Sequence, residues 1–118
     1  STGWCRAIKD PIVGRAIAAI HGRPAADWSV PRLAAHVAMS PSRFAARFSN
    51  TLGESPMAYV SKWRINVACR KLSNTRQGVE QIAASVGYDN LAAFSRAFKK
   101  HLGESPAAWR KRAGPYSE

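Results

Sequence analysis

Leu52-Gly53-Glu54-Ser55-Pro56 recurs residue for residue as Leu102-Gly103-Glu104-Ser105-Pro106, an offset of 50. Five identical residues in a row are hard to obtain by chance, and the match continues upstream. Phe44 and Phe48 pair with Phe94 and Phe98 at the same offset, while Leu33-Ala34-Ala35 and Val37 pair with Ile82-Ala83-Ala84 and Val86 at an offset of 49. The one-residue difference has to fall in the turn between the two matched segments. Self-similarity at a fixed period marks a repeated structural unit. Each copy reads as a short helix, a tight turn, a longer helix, and a glycine stop followed by Ser-Pro.

The punctuation around the repeat is helical. Asp10-Pro11, Ser40-Pro41, Ser55-Pro56 and Ser105-Pro106 each set a capping side chain before a proline, whose missing N–H costs nothing at the first helical position. Gly22, Gly53, Gly87 and Gly103 fall where helices should end, because glycine accepts the left-handed backbone of a C-terminal cap. The spacing predicts seven helices, over 11–21, 30–38, 41–52, 56–72, 79–86, 90–102 and 106–112. The few β-branched residues are spaced by three or four and not by two, so no strand pattern competes.

The fold class that follows is all-α, with two helix-turn-helix subdomains joined by a long connector helix. The expected division is a linker or docking remnant over 1–9, a first lobe over 10–55, the connector over 56–72, a second lobe over 73–112, and a frayed tail over 113–118. Ser1-Thr2-Gly3 is read as leader, and Ser73 to Gly78 as a polar loop into the second lobe. In the connector, Met57, Val60, Trp63, Arg64, Val67, Ala68 and Leu72 form a stripe at helical spacing that should pack on both lobes. At about 1.5 Å per residue it spans roughly 25 Å, comparable to the ~34 Å of one DNA turn.

Composition points to an anionic partner. Eighteen Lys and Arg against seven Asp and Glu leave a formal charge of +11, a field that attracts phosphate, anionic lipid or an acidic protein. No run approaches the ~20 apolar residues of a membrane span and no signal-peptide pattern opens the chain. The expectation is therefore a soluble, cytoplasmic protein with no membrane partner. Cys5 and Cys69 are the only cysteines and form no CxxC pair, so both are read as ordinary thiols. His21, His36 and His101 lack ligand partners at i+3 or i+4, and phosphate-loop and nucleophile-elbow motifs are missing. No catalytic residue, metal or cofactor is expected. Glu54 and Glu104 are read as fixing the turns before the Ser-Pro caps.

A helix-turn-helix needs a small residue in its first helix and often a glycine in the turn. Ala83 and Gly87 supply both in the second copy. In the first, Ala34 fits but Ala38 stands at the turn, where a left-handed backbone costs alanine on the order of 1 kcal/mol. Ser40 and Asp89 are expected to cap the second helices. With the paired phenylalanines inward, rotation at about 100° per residue turns Ser42, Arg43, Ala46, Ser49 and Asn50 outward in one copy, and Ala92, Ala93, Arg96, Lys99 and Lys100 in the other. Small residues let a helix sit deep in a major groove, where one Arg can grip guanine O6 and N7 and an alanine can meet a thymine methyl. Arg96 is the foremost base-reading candidate, with Ser42 and Arg43 next. Arg32, Lys62, Lys99 and Lys100 are candidates for phosphate contact, which holds register without reading sequence. Trp28, Trp63 and Trp109 are read as packing residues.

The second lobe resembles the DNA-binding domain of the AraC/XylS family of bacterial regulators. The resemblance is carried by Ile82-Ala83-Ala84-Ser85-Val86-Gly87-Tyr88, Phe94-Ser95-Arg96-Ala97-Phe98-Lys99-Lys100, Gly103-Glu104-Ser105-Pro106 and Trp109-Arg110. Leu33-Ala34-Ala35, Met39-Ser40-Pro41-Ser42-Arg43-Phe44, Arg47-Phe48, Trp63-Arg64, Ala68 and Leu72 extend it over the first lobe and the connector. It implies seven helices in two homeodomain-like lobes, whose recognition helices enter successive major grooves on one face of the DNA. It also implies base-facing roles for Ser42, Ala45 and Ala46, and for Leu91, Ala92, Ala93 and Arg96. Several of these are alanine where relatives carry longer polar residues, which leaves Arg43, phosphate contacts and DNA shape to share the reading.

The same resemblance implies a sequence-specific transcription regulator acting on promoter or operator duplex DNA, activation by contact with RNA polymerase being the commoner outcome. A separate sensory domain would supply ligand binding and homodimerisation, with Trp4 to Lys9 as the end of a linker. Two other classes share some of the features. A non-specific or architectural nucleic-acid-binding protein would share the charge without needing two matched faces. A DNA-repair enzyme using this domain for targeting would need a reactive or zinc-binding cysteine with partners, which Cys5 and Cys69 do not supply.

Overall fold

A computed structural model describes residues 9–114. Trp4, Cys5 and the other residues before Lys9 lie outside the described residues, as do 115–118 of the expected tail. Seven helices lie among the described residues: α1 (Pro11–Gly22), α2 (Val30–His36), α3 (Pro41–Leu52), α4 (Pro56–Asn74), α5 (Val79–Ser85), α6 (Leu91–Leu102) and α7 (Pro106–Ala113). The chain forms two compact units that divide within α4, after Val60.

Six of the seven helices start where a side chain satisfies otherwise orphaned amides; α5 starts after Gly78 with no side-chain cap. The Asp10 carboxylate accepts from the N–H groups of Ile12 and Val13 at 3.0 and 3.2 Å. Ser40, Ser55 and Ser105 accept from Arg43, Ala58 and Ala108 in turn. Ser29 does the same for α2, accepting from the Arg32 N–H with Pro31 in the first turn. Two expectations are corrected here. Gly22 is the last residue of α1 rather than its left-handed stop, and Arg23 closes that helix with φ −141°. Asp89 is not the cap of α6. Asn90 holds that place, with extended backbone and its side chain accepting from the Ala93 N–H at 2.8 Å.

In the first unit Val13, Ala16, Ile17 and Ile20 form one buried face of α1, at the spacing a helix requires. Leu33, Ala34 and Val37, Phe44 and Phe48, and Tyr59 and Val60 at the start of α4 are also buried. Phe44 and Phe48 lie 5.7 Å apart, and Phe48 meets Tyr59 edge-on at 5.8 Å. The Tyr59 hydroxyl reaches the His21 ring at 2.7 Å, and burial together with the nearby Glu54 charge pushes the phenol's pKa up.

The second unit repeats the plan with the rest of α4 in the place of α1. Ile65, Ala68, Leu72, Ile82, Ala83, Val86, Phe94 and Phe98 make one core, flanked by Trp109. Phe94 and Phe98 are again 5.7 Å apart. The connector stripe differs from the expected one. Tyr59 and Ile65 are buried and were absent from it, while Met57, Trp63, Arg64 and Val67 are only half-buried. The Arg110 guanidinium donates to the Leu72 and Thr75 carbonyls at 3.2 Å each, closing the end of α4. Glu104 pairs with Arg112, which joins the turn before α7 to that helix.

Candidate nucleic-acid interface

Both short helices, α2 and α5, end in the same hydrogen-bonded turn. The Met39 N–H donates to the Ala34 carbonyl at 2.9 Å and the Ala38 N–H to Ala35 at 3.1 Å; Tyr88 donates to Ala83 at 3.0 Å and Gly87 to Ala84 at 3.1 Å. This pairing of a six-to-one with a five-to-two bond is the Schellman motif, and it needs one left-handed residue. Ala38 takes φ 58° and Gly87 takes φ 105°. The strain expected at Ala38 is therefore present, and the turn is built around it. The extra residue of the second copy is Asp89, which lies between the turn and the cap where Met39 leads directly into Ser40.

This turn and the buried phenylalanine pair fix which face of the following helix is free. In α3, Ser42, Arg43, Ala46 and Asn50 are exposed, whereas Ala45 and Ser49 are half-buried. In α6, Leu91, Ala92, Arg96, Lys99 and Lys100 are exposed and Ala93 is half-buried. Leu91 is unusual as a large apolar side chain 39% accessible at the first turn of its helix. Arg32 on α2 and Lys62 on α4 are exposed as well. Each unit thus gathers small side chains near the start of its longer helix and cations along it, Arg43 in the first unit and Arg96, Lys99 and Lys100 in the second.

One residue of this surface escaped the sequence reading. The Arg47 guanidinium donates from Nε to Asp10 Oδ2 at 2.9 Å and from Nη2 to Oδ1 at 3.0 Å. Such a two-pronged pairing is the strong form of a charge-assisted hydrogen bond. Asp10 consequently caps α1 and grips α3 with the same carboxylate. The Arg47 bond, aided by the Val13 and Ile12 amides, holds its pKa below the ordinary 3.8 although partial burial works the other way. The partners stand 37 residues apart in sequence, so neither helical spacing nor the repeat announces them.

Among the described residues no three His, Cys, Asp or Glu side chains come together to hold a metal ion. No helix there is long and apolar enough to cross a membrane. The half-buried Cys69 thiol is pushed up to about 11 by burial, so at neutral pH it is a neutral packing group and not a nucleophile.

Residues 33–112 match the family model described as a helix-turn-helix domain. An AraC-like transcription regulator of Streptomyces antibioticus is 40% identical over 97% of this chain and 38% of its own length. The regulator AlkR of Acinetobacter baylyi is 37% identical over 93% of this chain and 36% of its own. Among solved structures, the C-terminal domain of AraT, a response regulator from Geobacillus stearothermophilus, superposes with a TM-score of 0.85 at 31% identity, covering 92% of this chain and 93% of that one. The DNA-binding domain of AdpA, solved with a target DNA, gives 0.82 at 29% identity over 87% and 92%. The chain belongs to the AraC family of transcription regulators and has the fold of that family's helix-turn-helix domain. It spans a little over a third of the length of the curated relatives it matches.

Proposed function

We propose that this domain binds duplex DNA in a sequence-dependent way, each unit laying one recognition helix, α3 or α6, in a major groove, the two grooves being successive turns of one duplex. The observation that carries the reading is the repeated turn. Two Schellman motifs with the same hydrogen bonds each deliver a helix whose outward face joins small exposed side chains, Ser42 and Ala46 or Ala92, to an exposed arginine, Arg43 in the first turn of α3 or Arg96 in the second turn of α6. A side chain of that kind meets base edges, while the surrounding cations meet phosphate. AdpA, whose DNA-binding domain is solved on its target, has this fold.

In this reading Arg96 pairs with a guanine, and Leu91, Ala92 and Ala93 allow close approach and contact thymine methyls. Ser42, Arg43, Ala45 and Ala46 do the corresponding work in the first unit, with Arg32, Lys62, Lys99 and Lys100 on the backbone. The chain then acts as the DNA-reading part of a cytoplasmic transcription regulator and not as an enzyme. Ligand sensing, dimerisation and contact with RNA polymerase would belong to the regulator as a whole.

The test is selection of bound sequences from a random duplex pool, followed by affinity for the winner and for a scrambled duplex at two salt concentrations. Two short determinants about one helical turn apart, with the scrambled duplex bound much more weakly, is the expected result. The charge of +11 favours one competing outcome. Equal and steeply salt-dependent binding to both duplexes would make this a non-specific or architectural protein.

A further inference from the structure

We propose that Asp10 is a specificity-determining residue that masks Arg47, standing in for a DNA phosphate so that this arginine does not add sequence-blind affinity. The inference rests on the DNA-binding reading above. Arg43 and Arg47 are the two cations of α3 and lie one turn apart, so both project from neighbouring parts of the recognition helix. They line one surface groove together with Ile12 and Ser40. Among the described residues no carboxylate pairs with Arg43, whereas Arg47 is held by both carboxylate oxygens of Asp10.

A carboxylate presents two oxygens to a guanidinium much as a phosphate does, and arginine binds either in the same forked geometry. Arg47 remains 43% accessible in the pair, and Asp10 17%. The guanidinium is therefore within reach of a duplex laid along α3 but already has its acceptors. Asp10 itself is fixed by two amides of α1, so it does not swing aside at little cost. The second unit has no such arginine, because Ala97 stands at the place equivalent to Arg47. Masking thus leaves one arginine on the outward face of each recognition helix, Arg43 and Arg96.

The test measures salt dependence. Asp10→Asn keeps the cap of α1, since asparagine caps as well as aspartate, but releases Arg47. Its binding to a scrambled duplex should gain a phosphate contact, steepening the plot of log affinity against log salt by about 0.9 between roughly 50 and 200 mM. The ratio of affinities for selected and scrambled duplexes should fall. Asp10→Asn combined with Arg47→Gln should return the slope to that of the parent chain. Asp27→Asn, which changes net charge equally at an exposed carboxylate of the same unit, should leave the slope unchanged.

Equal steepening by Asp27→Asn reduces the effect to net charge and overturns the proposal. An unchanged slope in Asp10→Asn, with or without weaker binding, also overturns it, because a mere strut between α1 and α3 would give that result. The slope on scrambled DNA is readable even if the parent chain shows no sequence preference, an outcome that would defeat the specific-reader function alone. A parent chain that binds neither duplex defeats both.

Discussion

Ala38 and Gly87 are the left-handed residues of two turns with the same hydrogen bonds, yet they adopt different angles, φ 58° and φ 105°. The first lies inside the small left-handed well open to residues with a Cβ, and the second lies beyond it. The alanine copy has settled into the part of the region where its side chain is tolerated. The glycine copy uses freedom that only glycine has. The first turn is thus strained but possible, and the second depends on its residue.

Exchanging the two residue types should therefore have unequal effects. Ala38→Gly should stabilise the first unit by no more than about 1 kcal/mol, since relief of the left-handed penalty is offset by the entropy glycine loses on folding. Gly87→Ala should cost the second unit on the order of 1–2 kcal/mol. Thermal unfolding followed by circular dichroism measures both. Equal and opposite shifts would mean that the two turns are not the different conformers described.

The capping of α6 gives a sharper local prediction. Asn90→Ala should destabilise the second unit by about 1 kcal/mol, whereas Asp89→Ala should be close to neutral. Denaturant midpoints of the two variants separate the alternatives, and a larger loss at Asp89 would return the cap to that residue.

That correction also shows what was legible in the sequence. The prolines and their capping residues located the starts of α1, α3, α4 and α7, because a proline at the first helical position is both sterically compatible and harmless to hydrogen bonding. The offset of 50 that relates Phe44 to Phe94 already maps Ser40 onto Asn90. Asp89 competes for that place because aspartate caps about as well as asparagine and directly precedes it in the chain. Tyr59 and Ile65 escaped because α4 changes units along its length, so its buried face is not one continuous stripe. The Asp10–Arg47 pair escaped for a different reason: it is a tertiary contact between two helix surfaces, and no local periodicity encodes it.

Asp10 should also leave a signature in acid. Its folded-state pKa lies below its ordinary 3.8, so the unfolded chain binds the proton more tightly than the folded one. The stabilisation is fully present above the unfolded value and is lost as pH falls through the depressed folded value. The parent chain should be more stable than Asp10→Asn at neutral pH, and the difference should shrink below about pH 4. Denaturation at a series of pH values from neutral to acid checks this. A difference independent of pH would mean that the carboxylate charge contributes nothing to folding.

The two phenylalanine pairs should be equally costly to disturb. Phe44, Phe48, Phe94 and Phe98 are all fully buried, and truncation of such a ring to alanine costs about 3–5 kcal/mol. Phe44→Ala and Phe94→Ala should each unfold their own unit first, and amide hydrogen exchange resolves which. Loss of protection confined to 10–60 in one variant and to 61–114 in the other is expected. Simultaneous loss throughout the chain in both would show that the units fold only together.

Arg96 separates base reading from electrostatic attachment. It is exposed on the same face of α6 as Ala92 and Ala93, with Lys99 and Lys100 one turn further along. An arginine that grips guanine contributes only where the guanine is present, whereas a lysine on phosphate contributes everywhere. Arg96→Ala should therefore weaken the selected duplex by ~1–3 kcal/mol, with little change on scrambled DNA and relaxed preference at one position. Lys99→Ala and Lys100→Ala should weaken both duplexes alike and reduce the salt slope by about 1 each. If Arg96→Ala behaves as the lysine variants do, the second recognition helix meets the backbone at position 96, and the exposed Leu91 and Ala92 with the half-buried Ala93 are left to read sequence through apolar contact alone.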